Sequence, residues 1–367
     1  MTILHIAKMT GVAGTENHLL ALLPGLHNKG LDIRLIVLVE PGKPMDAYIA
    51  QMNALGVPTE ALPIARDFDI GLVGALSKKC HGAEIVHTHL IHADVHGLFA
   101  AKLAGVRKLV SSGHNDDKFR RSLLIRVFQG WFWRQVNAGI AISEALRQFM
   151  ITFEFAPPAK IHTVLYGLDP DSVPIDLQAR EKLRSQLHLP PDTPIIGSVC
   201  RLIEQKGLSY ALQAMVRLRE ALPNLHYVIA GDGPLRDSLE AETAALKLTD
   251  RVHFLGWHEN GRVLMQAYDA LLIPSLWEGF GLVAIEAMCA RLPVIASRVS
   301  ALPEIVAEGE TGYLVAPGDV AGLVSAIQRL YAADRVKLGE NGRMRLETNF
   351  SVARMIARTI AVYEGIQ

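Results

Sequence analysis

The sequence is short of cysteine, of net charge and of long apolar runs, and each shortage narrows what it can be. Its 367 residues include 3 cysteines, Cys80, Cys200 and Cys289, far apart and with no C-x-x-C among them. An odd, scattered set argues against a disulfide framework and for a reducing compartment. Lysine plus arginine and aspartate plus glutamate both number 37, so the formal net charge is zero. With no basic excess, nucleic acid is not an expected partner. No uninterrupted apolar run reaches the roughly 18–20 residues that span a bilayer. The opening Met1-Thr2-Ile3-Leu4-His5-Ile6-Ala7-Lys8 is too short an apolar run for a signal peptide and reads as a first strand. The expectation is a cytoplasmic protein whose membrane contact would be peripheral, at the inner face.

What is present is core material. Half the residues are hydrophobic, and the length is comfortable for two cores rather than one. Short β-rich runs alternate with amphipathic segments almost throughout. Strands are expected at Ile3–Ala7, Ile33–Val39, Thr59–Leu62, Ile85–His89, Lys108–Ser111, Gly139–Ile142 and Ile161–Leu165, with helices such as Glu16–Leu26, Ile91–Leu103 and Glu144–Phe153 between them. A turn-rich segment, Tyr166 to Pro174, reads as a linker. The pattern then restarts with Ile195–Val199, His226–Ala230, Val252–Phe254, Ala270–Ile273, Val294–Ala296 and Gly312–Val315. Such βαβ alternation implies α/β architecture with parallel sheets covered on both faces. Both halves open alike, with a strand, a glycine-bearing loop and a helix: Ile3 to Leu20, then Ile195 to Leu212.

The most informative stretch is Glu278-Gly279-Phe280-Gly281-Leu282-Val283-Ala284-Ile285-Glu286, between the apolar runs Ala270–Pro274 and Pro293–Ala296. Strand, glycine turn, helix, strand is the economical reading, with the helix starting near Phe280 or Gly281. Glycines let backbone N–H groups approach a ligand, and a helix N-terminus behind them suits phosphate or sugar oxygens. Glu278, on the loop, can accept from sugar hydroxyls; Glu286, more than a turn into the helix, can accept from the two hydroxyls of a ribose. Gly279 to Ala284 also fits G-x-G-x-x-A, with Glu304 about 20 residues on, as in dinucleotide-binding folds. That fingerprint normally opens a βαβ unit, however, and here it lies deep in the second half, with Glu304 beyond the next strand.

Type, order and spacing of the two glutamates, with Gly-Phe-Gly between them and Ala287-Met288 after, resemble the donor-site signature of retaining glycosyltransferases of family 4. The resemblance implies the GT-B fold: two Rossmann-like domains with parallel sheets facing across a cleft. It divides the chain into 1–170 on the acceptor side and 171–350 on the nucleotide-sugar side, with a terminal helix in 351–367 crossing back to the first domain. It implies that Arg201 and Lys206, after the strand Ile195–Val199, hold the donor diphosphate, although an ordinary solvated pair near Glu204 would look the same. It implies that Gly279, Phe280, Gly281 and Leu282 hold sugar and phosphate, while Glu278 orients the sugar and Glu286 binds ribose. In the first domain, Gly11-Val12-Ala13-Gly14-Thr15-Glu16 is similar to the family's Gly-Gly-x-Glu loop, which brings Gly14 toward the donor phosphate; a plain helix start fits as well. His114 matches the active-site histidine. Asp232, in Gly231-Asp232-Gly233-Pro234, matches a family turn. Two departures stand out: Tyr166 where the family usually has asparagine, and Arg291 where it usually has glycine.

The expected activity is transfer of a hexose-type sugar from a nucleoside-diphosphate donor, UDP before GDP on frequency alone, to a glycan, lipid-linked or small-molecule acceptor. No cofactor and no metal are expected. A GT-B epimerase or phosphorylase, or a sugar-nucleotide sensor that turns nothing over, would use similar residues. His87, His89, His92 and His96 offer four ligands at zinc-like spacing, but no cysteine joins them, and the family's histidines at this strand line the acceptor side. Asp169-Pro170-Asp171 has the form of a D-x-D metal clamp, but a proline in a linker favours a turn. Residues 118–135 mix arginines with Phe119, Phe128, Trp131, Phe132 and Trp133, which suits either a surface helix on anionic lipid or packing on the first domain. Acceptor identity is assigned to loops such as Glu40–Met45 and Asn115–Arg121.

Overall fold

The computed structural model describes residues 1–11, 14–64, 69–115, 122–258 and 260–366. The chain forms two compact units, Met1–Gly167 with Ser351–Gln367, and Leu168–Phe350. The change of unit falls three residues before the expected 170/171.

The first unit has a seven-stranded sheet. Its strands are β1 (Thr2–Met9), β2 (Asp32–Val39), β3 (Thr59–Pro63), β4 (Ile85–His89), β5 (Lys108–Gly113), β6 (Ala138–Ala141) and β7 (Ile161–Thr163). They lie in the order β3-β2-β1-β4-β5-β6-β7, every pair parallel. The second unit has β8 (Ile195–Val199), β9 (His226–Ala230), β10 (Val252–Gly256), β11 (Ala270–Ile273), β12 (Val294–Ser297) and β13 (Gly312–Val315). Their order, β10-β9-β8-β11-β12-β13, is again all parallel. Both sheets therefore reverse their strand order once, between β1 and β4 and between β8 and β11. The crevice outside the carboxyl ends of the strands at such a reversal is where open α/β sheets bind ligands.

Parallel strands between helical layers bury both faces, which is why these strands read as continuous apolar runs. β4 departs from that rule: Ile85-Val86-His87-Thr88-His89 is buried throughout, although three of its five side chains are polar. Helix starts follow side-chain chemistry. Asp69 accepts from Leu72 N at the start of Ile70–Cys80, Ser143 from Leu146 N at Glu144–Phe153, and Ser351 from Arg354 N at the terminal helix Val352–Gly365. Ser351 thus opens the helix that returns to the first unit, where Met355, Ile356, Val362 and Tyr363 complete the core.

Asp169-Pro170-Asp171 is a turn. Asp169 Oδ1 accepts from Asp171 N at 3.0 Å, and Asp171 pairs with Arg343 at 2.7 Å. Arg291 also finds its explanation. The helix Leu282–Cys289 ends with Arg291 N donating to Met288 O and Leu292 N to Ala287 O, and Arg291 sits at φ 52°, the left-handed slot that usually takes glycine. Its guanidinium pairs with Glu340 at 2.9 Å, half exposed. Arg291→Gly and Arg291→Ala both lose that pair, but only glycine removes the backbone strain. In urea unfolding the glycine variant should therefore be more stable than the alanine variant by about 1 kcal/mol; equal midpoints would show that the conformation costs nothing.

Candidate functional site

In the second unit the loops after β8 and β11 meet at the strand-order reversal. The first runs from Cys200 to Gly207, and the turn after β9 fixes it from below. Gly231, at φ 137°, donates to Gly256 O at 2.7 Å, and a Cβ there would lie 1.8 Å from Cys200 O. Leu202 N donates to Asp232 O at 2.9 Å, and Asp232 Oδ1 accepts from Gly233 N at 2.7 Å. Asp232 is thus a turn residue that positions the backbone around Arg201. The Arg201 carbonyl accepts from Ile203 N at 3.0 Å, while its side chain is exposed and makes no hydrogen bond or ion pair with any described residue.

The loop after β11 docks onto the same segment. Leu276 N donates to Gln205 O at 2.7 Å, and Gln205 Nε2 donates to Trp277 O at 2.9 Å. These bonds bring together two residues 72 positions apart: Lys206 Nζ lies 2.7 Å from Glu278 Oε1, which also accepts from Ser275 Oγ at 2.7 Å. Glu278 N donates to Ser300 Oγ. The carboxylate is buried and the ammonium nearly so, with side-chain exposures of 7% and 17%. Neither bond uses Glu278 Oε2. The Cys200 thiol faces the same pair, but burial pushes it up to about 12, so it is no nucleophile at neutral pH.

Beyond Glu278 the helix Leu282–Cys289 begins with Gly281 at φ 91°, where a Cβ would lie 2.7 Å from Leu302 Cδ2. No side chain caps this helix; Ala284 N donates to Gly281 O at 2.8 Å, and the N–H groups of Leu282 and Val283 before it have no intrahelical acceptor. Phe280 is buried, edge-on to Phe350 at 6.2 Å, and anchors the turn. Glu286, one turn further on, accepts from Arg262 Nε at 2.8 Å. The cation Lys206, the carboxylates of Glu278 and Glu286, and an uncapped helix N-terminus are thus held around one strand reversal. That set can receive phosphate oxygens and sugar hydroxyls together. Glu304 sits in the short helix Leu302–Ile305 beyond β12, not at a strand's end as a dinucleotide fold would need.

In the first unit the helix Gly14–Asn28 begins at Gly14; Val12 and Ala13 lie outside the described residues. His114, directly after β5, is buried, with Nε2 3.0 Å from His89 Nδ1 and Nδ1 2.5 Å from the Tyr166 hydroxyl. The departure at Tyr166 therefore supplies a phenol to the candidate histidine. His18 stacks on Tyr166 with ring centroids 4.0 Å apart, and its buried Nδ1 has no hydrogen-bond partner among the described residues.

The four-histidine zinc set does not assemble. His96 Nδ1 turns to His92 O, the carbonyl one turn back, and its Nε2 accepts from Asp69 N. Asp94 is buried and accepts from Thr88 and Ser111. What joins His87 and His89 instead is His5, directly opposite His87 in the β1–β4 register. The sequence showed a lone histidine in an apolar strand, but strand pairing, which makes it a partner, is not visible there. Ser300 and Tyr363 reach their partners only through tertiary packing, whereas Ser275 bonds Glu278 within one turn, a short-range contact that its spacing could have suggested.

Burial also pushes Cys80 up to about 12 and Cys289 up to about 11. Because the thiolate is the reactive form, iodoacetamide at pH 8 should label all three cysteines more than about a hundredfold slower in the native chain than in urea. Mass-spectrometric time courses measure this, and fast native labelling of Cys200 would show its surroundings to be open and polar.

Comparison with known proteins supplies the context. Residues 179–345 match Glycosyl transferases group 1, and residues 12–172 match Glycosyltransferase Family 4. The chain is 30% identical to the amylovoran biosynthesis glycosyltransferase AmsK of Erwinia amylovora, over 83% of this chain and 79% of that protein. It is 28% identical to the 2-deoxystreptamine glucosyltransferase of Streptomyces kanamyceticus, over 92% and 95%. The crystal structure of Anabaena HepE in complex with UDP and glucose superimposes with a TM-score of 0.86 at 22% identity, covering 100% of both chains.

Proposed function

The chain belongs to the group 1 and family 4 glycosyltransferases, and from that premise we propose that it transfers a hexose-type sugar, with retention and without a required metal, from a UDP-sugar to a glycan, glycolipid or small-molecule acceptor. The observation behind this reading is the Lys206–Glu278 pair at 2.7 Å beside the uncapped helix Leu282–Cys289. A departing diphosphate needs cations, and a sugar ring gaining positive charge needs a fixed hydroxyl acceptor. Lys206 and Arg201 take the first task. Glu278 takes the second, with Gly279, Phe280, Gly281 and Leu282 offering backbone to sugar and phosphate, and Glu286 taking the ribose. In the first unit, Gly14 takes the role of approaching phosphate and His114 that of contacting the sugar. The choice of UDP is supported by the UDP bound to HepE. Front-face substitution, with the donor phosphate as base, is our reading of retention; a double displacement would need a carboxylate nucleophile at the anomeric carbon.

The test is donor binding by calorimetry and donor turnover across UDP-, GDP- and ADP-sugars, with and without chelator. Glu278→Gln should lower kcat at least tenfold while donor Kd changes little, whereas Arg201→Ala should weaken donor binding itself. Activity should survive chelation. Trivial effects of both substitutions would refute the assignment, and a glycosylated side chain trapped by mass spectrometry would refute the front-face step.

Peripheral contact with an anionic membrane is part of the same reading. On the helix Leu123–Gln135, Phe132 and Trp133 are buried, and Trp133 Nε1 donates to Glu154. Leu123, Leu124, Val127 and Trp131 are exposed on the other side, with Lys102 Nζ 6.0 Å from the Trp131 ring. The arginines at 120 and 121 lie outside the described residues. An apolar strip beside basic side chains suits a lipid interface. The full chain should co-sediment with vesicles containing phosphatidylglycerol, and Leu124→Ser with Val127→Ser should abolish it; unchanged sedimentation would remove this contact from the proposal.

A further inference from the structure

Seven buried side chains in the first unit form one continuous chain of hydrogen bonds. It runs from the Tyr166 hydroxyl to His114 Nδ1 at 2.5 Å, from His114 Nε2 to His89 Nδ1 at 3.0 Å, and from His89 Nε2 to His5 Nδ1 at 2.9 Å. The Tyr363 hydroxyl then stands 3.5 Å from His5 Nε2 and 2.7 Å from His87 Nδ1, and His87 Nε2 ends on Ser112 Oγ at 2.8 Å.

Ligand atoms of His5, His87 and His89 lie within 4.8 Å of one another, which invites a metal. The rings argue otherwise. His5 and His89 stack at 14° and His87 and His89 at 28°, and their nitrogens already bond to one another and to hydroxyls. Metal-bound imidazoles aim their nitrogens at one point instead of stacking. Burial lowers the His5 pKa to about 3 and holds His87 and His89 well below the usual imidazole value. These rings are therefore neutral, each with one N–H and one acceptor nitrogen.

In a chain of such groups every donor must point the same way, so fixing one link fixes the next. If Tyr363 donates to His87, then His5 Nε2–H points at Tyr363, His89 Nε2–H at His5, and His114 Nε2 must be the donor to His89. The opposite direction makes His114 Nε2 the acceptor. We infer that Tyr363, on the terminal helix, is a positioning residue that fixes, through His5 and His89, which nitrogen of His114 donates and which accepts. The last helix of the chain thereby sets the hydrogen-bonding sense of His114. Its bearing on transfer rests on the donor-side role proposed for His114, whereas the tautomers are read in the ligand-free protein, so either can fail without the other.

The experiment is long-range proton–nitrogen NMR on the full chain labelled with 15N-histidine, which reports which ring nitrogen is protonated. In the native protein His5 and His89 should each show one tautomer, of the same sense. Tyr363→Phe, which removes only a hydroxyl, should shift or average the ring nitrogens of His114, three hydrogen bonds away. His5→Leu alone should do the same by cutting the chain, and adding Tyr363→Phe to it should change His114 no further. The inference is overturned if Tyr363→Phe moves only His5 and His87, if its effect on His114 persists in the His5→Leu background, or if the purified chain holds one equivalent of a metal on these histidines.

Discussion

A strand-order reversal in each parallel sheet is the constraint on which the rest of this structure depends. Where β8 and β11 lie side by side, their connections leave in opposite directions, so two loops from distant parts of the sequence share one crevice. Lys206 and Glu278, on loops from separate strands, meet through that reversal. The 72-position separation of Lys206 and Glu278 is spanned by the sheet, and hydrogen bonds between Gln205 and the Leu276–Trp277 segment set the final distance.

The local chemistry follows from burial. A carboxylate with 7% exposure would be costly alone, and Lys206 and Ser275 compensate it. On the proposed reading, a diphosphate at Lys206 would compete with Glu278 for the same ammonium, which would couple donor binding to carboxylate orientation. The Arg201 guanidinium, exposed and without a side-chain partner among the described residues, has no such competitor. The two cations named together from the sequence are therefore unequal: one is already engaged in the sheet crevice, the other is available at its rim.

The first unit repeats the topology with different contents. At its reversal β1 and β4 place His5 opposite His87, and the polar groups buried there are imidazoles and a phenol rather than a salt bridge. The polar run His87-Thr88-His89 inside a fully buried strand is tolerated because each side chain has a partner: Tyr363 and Ser112, Asp94, and His5 and His114. One of these partners arrives on the last helix of the chain, which ties the terminal segment to the strand that comes fourth.

Most of the element pattern was legible in the sequence, because parallel strands buried on both faces are mostly short apolar runs, with the buried polar residues of β4 an exception. Ile85–His89, Ile195–Val199, His226–Ala230, Ala270–Ile273 and Gly312–Val315 match the structure to the residue. The glycine turn and the helix start near Gly281 were legible too, since Gly281 takes φ 91°, a backbone that favours glycine. Short-range rules decide such features, and a sequence displays them directly. What pairs with what was decided only by the tertiary structure: Lys206 with Glu278, His5 with His87, Tyr166 with His114. Arg291 and Tyr166 could be noticed as departures from a pattern, but their reasons, a left-handed helix end and a phenol on a buried imidazole, depend on register and packing. Those are set by the closure of the whole sheet, which no window of neighbouring residues contains.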